Sequence, residues 1–78
     1  MTEETITAEL TAAQMRVFRE VLEGLTNKEI AHKLNLSITT VKLHLMHCYR
    51  KLGIDGRRGL IRTTVRLTPK YKEGNHVA

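Results

Sequence analysis

The chain has one cysteine, one proline and no tryptophan among its 78 residues, and its aromatic residues are two tyrosines and one phenylalanine. A lone Cys48 excludes an intramolecular disulfide framework and suits a reducing compartment. No stretch approaches the roughly 20 apolar residues that a membrane span requires. The start is acidic at Glu3 and Glu4 with no apolar run behind it, so no secretory signal is read there. Paired carboxylates, a nucleophile beside a base and a glycine-rich phosphate loop are all missing, and the chain is too small for a substrate cleft. These absences predict a single domain of cytoplasmic type that is not an enzyme and carries no cofactor. A chain this short buries only about 60% of the surface its unfolded form exposes. Without disulfides the economical solutions are a compact helical bundle or a dimer.

Acid is also scarce, but only in part of the chain. Residues 1–25 carry a net charge of −3, whereas residues 26–72 carry eleven basic side chains against Glu29 and Asp55 alone. A net +5 thus conceals a segregated distribution. That pattern is the electrostatic footprint of a protein that meets a polyanion, nucleic acid first among them.

Four helices are predicted from their caps. Thr11 followed by Gln14 is a capping box, and Phe18, Val21, Leu22 and Leu25 then form one apolar row towards Gly24, a natural terminator. Thr26 followed by Glu29 is a second box, opening a short helix whose buried side is Ile30, Ala31 and Leu34. Ser37 caps a third helix that runs to Gly53. Asp55 is read as the cap of a fourth, with Leu60, Ile61, Thr64 and Leu67 on one side and Pro69 as its stop. No segment is read as a strand. Residues 1–9 are expected to be a flexible lead-in, 10–68 the folded domain and 69–78 a flexible tail. The expected fold is therefore all-α.

The spacing between the second and third helices carries the functional argument. Only Asn35 and Leu36 separate Leu34 from the Ser37 cap, which is the geometry of a helix-turn-helix. Asn35 stands where such a turn needs a left-handed residue, a conformation asparagine tolerates better than most. Within the third helix, Val41, Leu45, Cys48 and Leu52 form the inward row. The opposite face holds Thr39, Thr40, Lys42, Leu43, Met46, His47 and Arg50, with no acid among them. Cations suit phosphates and guanine edges, and apolar groups suit thymine methyls, so this mixture fits a major groove. Asn27 and Lys28, at the start of the second helix, are placed for phosphate contacts, as is Thr40. His44, His47 and Cys48 lie too close together on one helix to complete a tetrahedral metal shell, and no second ligand cluster exists, so no metal site is read.

The blocks Asn27-Lys28-Glu29-Ile30-Ala31 and Thr40-Val41-Lys42, with His44-Leu45 and Lys51-Leu52-Gly53, closely resemble the LuxR-type helix-turn-helix domain, also called FixJ- or NarL-type. The likeness runs without a gap from Leu10 to about Arg57. It implies a four-helix domain with the third helix in the major groove and the fourth serving in dimerisation. Position by position, it points to Lys42, Leu43 and Met46 for groove contact and to Asn27, Lys28, Thr40 and Lys51 for the DNA backbone. Three departures stand out. Ala13-Gln14 replaces a usual Arg-Glu, so an ion pair of the first helix is lost. Met46 replaces a cation found in several members, and Arg58-Gly59-Leu60 replaces Thr-Glu-Ala.

Together these observations predict a stand-alone, sequence-specific DNA-binding transcriptional regulator, cytoplasmic and associated with the nucleoid. Its recognition helix covers about 38–52. It is expected to form a weak homodimer through Leu60, Ile61, Thr64 and Val65 and to bind double-stranded DNA at two half-sites. The alternative is a helix-turn-helix adaptor acting on another regulator or on RNA polymerase.

Overall fold

A computed structural model describes residues 4–60 and 63–70. The elements run β1 (Glu4–Leu10), α1 (Ala12–Leu22), α2 (Asn27–Leu34), α3 (Ile38–Leu52), a 3-10 turn (Gly56–Leu60) and β2 (Thr63–Pro69). The strands β1 and β2 pair in parallel, with Ile6 opposite Val65 and Ala8 opposite Leu67. All three helices therefore lie within the connection between two adjacent strands, as parallel pairing demands of its crossover.

The helices form where their caps dictate. Thr11 Oγ1 accepts from the Gln14 N–H at 3.2 Å, and Gln14 Oε1 accepts from the Thr11 N–H at 3.1 Å. The same reciprocal pair joins Thr26 and Glu29 at the start of α2. Ser37 Oγ accepts from the Thr40 N–H at 3.0 Å and opens α3, which Gly53 closes at φ +71°. Phe18, Leu10, Ile30, Val17, Val41 and Cys48 are the largest fully buried side chains. They come from β1 and all three helices, so a single core joins the sheet to the helical part. Phe18 and Tyr49 meet edge to face, their ring centroids 5.8 Å apart, a favoured aromatic arrangement.

The all-α expectation is overturned. Residues 4–9, read as part of a flexible lead-in, form β1 together with Leu10, and among the described residues no fourth helix spans the segment before Pro69. Gly56 sits at φ +80°, which an ordinary α-helix cannot include. The helix stops after one tight turn, and the β-branched run Thr63-Thr64-Val65 then favours an extended chain. Gly59 is needed where it stands, because a Cβ there would lie 2.6 Å from Ile54 Cβ. On the inner face Ile6, Ala8, Leu10, Val65 and Leu67 pack into the core, while Thr5, Thr7, Glu9, Thr64 and Arg66 face out.

The apolar stripe assigned to dimerisation dissolves with the fourth helix. Leu60 and Val65 pack against the chain's own core, Thr64 is exposed on β2, and Ile61 lies outside the described residues. One residue of the first helix also departs from its assigned row, since Leu22 is 48% exposed while Met15 and Val17 are buried.

Candidate nucleic-acid interface

The turn between α2 and α3 is built on Asn35, whose φ of +56° and ψ of +47° place it in the left-handed region. Its N–H donates to the Ala31 and His32 carbonyls, and the Leu36 N–H donates to Ala31 O at 2.8 Å. These bonds satisfy the last carbonyls of α2 and redirect the chain within two residues. Ala31 is buried where the two helices meet, and Leu36 packs against the core beneath the turn. The geometry is that of a helix-turn-helix.

Sorting α3 by exposure separates two faces. Val41, Leu45, Cys48 and Leu52 are buried. Thr39, Lys42, Leu43, Met46 and Arg50 are exposed, and Thr40 and His47 are half-buried. Leu43 and Met46 remain 50% and 45% exposed and stand three positions apart, neighbours on the same face. Among the described residues the side chains of Lys28, Lys42 and Arg50 have no hydrogen-bond or ion-pair partner, so their charge faces an incoming anion. Ile38, 42% exposed at the start of α3, belongs to the same surface. It shares the i, i+7 row of buried Leu45, so periodicity alone assigns it inward.

Three assigned contacts are modified by their neighbours. Thr40 is tied into the cap, its hydroxyl accepting from Ser37 Oγ at 2.9 Å. Asn27 Oδ1 accepts from Arg57 Nη2 at 2.7 Å, so the 3-10 turn reaches back to the first residue of α2. Arg57 thereby joins the basic surface at that helix start, a placement with no local signal in the sequence because thirty positions separate the partners. Lys51 Nζ donates to Glu9 O and to Gln14 Oε1, each at 3.1 Å. It fastens the end of α3 to β1 and α1, leaving one N–H for an outside acceptor.

Cys48 is fully buried, and desolvation pushes its thiol up to about 11, so it stays protonated in the core. Among the described residues no group of three or more His, Cys, Asp and Glu side chains could hold a metal ion. No helix among the described residues is long and apolar enough to cross a membrane. Among the described residues the buried Tyr49 hydroxyl has no hydrogen-bond partner, and desolvation raises its pKa.

The family model described as "Bacterial regulatory proteins, luxR family" matches residues 8–64. The chain belongs to this family. The match covers α1, the whole helix-turn-helix and the 3-10 turn. The HTH-type transcriptional regulator Rv0890c of Mycobacterium tuberculosis is 48% identical over 52 residues, which is 67% of this chain and 6% of that protein. The nitrate/nitrite response regulator protein NarP of Escherichia coli is 44% identical over 48 residues, 62% of this chain and 22% of that one. MalT of Vibrio cholerae, another HTH-type transcriptional regulator, is 34% identical over 61 residues, 78% of this chain and 7% of its own. The chain thus spans less than a quarter of the length of these relatives. No solved structure matches it.

Proposed function

We propose that the chain is a sequence-specific DNA-binding transcriptional regulator that lays α3 in the major groove. The carrying observation is the acid-free outer face of α3, where Leu43 and Met46 stand half exposed between the exposed Lys42 and Arg50. A face that meets only solvent commonly mixes acids with its cations, and this one pairs cations and hydroxyls with apolar groups instead. In the groove, Lys42 supplies a donor to base edges and Leu43 and Met46 supply contacts to thymine methyls. Thr39, His47 and Arg50 flank them. Asn27, Lys28, Thr40, Arg57 and the remaining N–H of Lys51 hold phosphates, which fixes register without reading sequence. The relatives' designations as transcriptional regulators support the same reading. One helix-turn-helix reads too few base pairs to select a promoter, so the reading includes two copies on half-sites about one DNA turn apart.

Binding of fluorescent duplexes at several salt concentrations tests the proposal. Neutralised phosphates give a steep salt slope, whereas an adaptor that touches only polymerase or another regulator gives none. Lys42→Ala is expected to weaken the specific site by about 1–3 kcal/mol and to relax discrimination there. Lys28→Ala is expected to weaken all sequences about equally and to flatten the slope by about one unit. Isotherms of both variants that overlay the unsubstituted protein reject the docking face.

A further inference from the structure

The two-fold pairing that the proposed function calls for has lost its expected helix, and the structure offers a different surface. Parallel ladders engage alternate residues of each strand. The Lys70 N–H donates to Leu10 O, so the even-numbered residues of β1 turn their backbone groups to β2. The odd-numbered Thr5, Thr7 and Glu9 turn theirs the other way. Glu9 O is already taken by Lys51 Nζ at 3.1 Å, which confirms its outward direction and closes that end of the edge. Thr5 and Thr7 are exposed, and among the described residues nothing outside the sheet bonds their backbone groups.

The two edges of the sheet are not equivalent. The edge of β2 ends in Pro69, which has no N–H, and carries the exposed cation Arg66 at mid-strand. Proline and exposed charge are the devices that blunt an edge against pairing. From Thr5 to Leu10, β1 has neither a proline nor a cation of its own.

We propose that β1 is an interface to a second copy of this chain, the two β1 strands pairing antiparallel about a two-fold axis at Ile6. In that register Thr5 of each copy exchanges both backbone hydrogen bonds with Thr7 of the other. Ile6, half-buried on the inner face, meets its own symmetry mate. Lys51 selects this register, because a shift towards the C-terminus would set the partner's strand against the carbonyl it occupies. No like charges oppose each other between Thr5 and Thr7, and the two sheets become one of four strands. Four backbone hydrogen bonds make a small contact, so the dimer is weak alone and is strengthened when DNA holds two copies side by side. The pairing rests on the DNA-binding reading only for this last strengthening.

Sedimentation of the full chain without DNA, over a rising concentration series, tests the interface separately from DNA binding. The unsubstituted protein is expected to approach twice its monomer mass at the highest concentrations. Thr7→Pro removes an outward N–H that the β1–β2 ladder does not use, so it is expected to stay monomeric with an unchanged far-UV spectrum. Should proline disturb the strand, Thr7→Lys serves instead, blunting the edge without touching the backbone. Arg66→Ala, on the other strand, is expected to self-associate like the parent. On a duplex with one half-site Thr7→Lys binds as the parent does, and on two half-sites it loses cooperativity. Equal self-association of parent and Thr7→Lys overturns the interface, as does a parent that stays monomeric both free and on the two-site duplex. A parent that dimerises through β1 yet ignores DNA overturns the groove reading instead.

Discussion

The helical centre, Ala12–Leu52, and the flanks that enclose it are built on different principles. Each helix of the centre carries its own start signal within four residues: Thr11 with Gln14, Thr26 with Glu29, Ser37 with Thr40. Each stop is equally local, as at Asn35 and Gly53. The flanks hold no such instructions. Strand β1 exists because β2, some sixty residues away in sequence, lies beside it. Local capping fixes the centre, and long-range burial fixes the flanks. Yet the two share one core, since Leu10 of β1 is as fully buried as Phe18 of α1 and Ala8 nearly so.

The largest expected effects ask whether that shared core makes one cooperative unit. Phe18→Ala should cost about 3–5 kcal/mol, and Leu10→Ala about 2–5 kcal/mol, because both side chains are fully enclosed. Against the few kcal/mol that stabilise a domain of this size, either loss is severe. Urea unfolding followed by far-UV circular dichroism is expected to show one transition, shifted to lower denaturant in both variants. If Leu10→Ala leaves the helical midpoint in place, the flanks open by themselves and the comparison becomes one between two independent units.

This division also explains what the sequence disclosed. The helix-turn-helix, its Asn35 pivot, both capping boxes and the inward row of α3 were all legible, because each depends on residues within one or two turns of each other. The outer face of α3 was legible for the same reason. The sheet was not. Thr5-Ile6-Thr7-Ala8-Glu9-Leu10 does alternate at period two, out and in, but a short alternating stretch has no meaning until a partner strand is known. The second strand was harder still, since Leu60, Ile61, Thr64 and Leu67 satisfy a helical period while Val65 and Leu67 satisfy a strand. Gly56 and Gly59, with three consecutive β-branched residues from Thr63, were the signals that should have decided it. Arg57 and Lys51 acquire their partners only through tertiary structure, so no pattern of spacing could have joined them to Asn27, Glu9 and Gln14.

A sharper probe of the flanks is Gly59→Ala. The added methyl would stand 2.6 Å from Ile54 Cβ, so the 3-10 turn must shift or Ile54 must move. A loss of about 1–3 kcal/mol is expected, as for other forced overpacking. An unchanged urea midpoint would show that the turn yields freely and does not fix the approach to β2. The matching probe of the centre is smaller. Asn35→Gly keeps the left-handed pivot and should change stability by only a few tenths of a kcal/mol, whereas Asn35→Val should cost about 1–3 kcal/mol of backbone strain. Equal midpoints for the two variants would mean that the turn does not depend on its left-handed residue.

The smallest effect separates the two capping boxes of the centre from each other. The box of α1 closes with the neutral Gln14, and that of α2 closes with the ionisable Glu29. Glu29 Oε1 accepts from the Thr26 N–H at 2.8 Å, and this backbone hydrogen bond, aided by the one to the Thr26 side chain, holds the carboxyl below its ordinary value of 4.5. A carboxyl whose folded pKa is depressed contributes stability that is fully present above the unfolded value. That contribution fades as pH falls below 4.5 and is gone once pH has passed through the lowered folded value. Because the group is exposed, the effect should be modest and should shrink further with salt. Glu29→Gln gives α2 the same neutral closure that α1 already has, so the acceptor is kept while the titration is removed. Urea midpoints measured from neutral pH down through the carboxylate range should therefore fall more gently for Glu29→Gln than for the parent. Parallel acid limbs for the two proteins would place the acid sensitivity of the fold elsewhere than in this box.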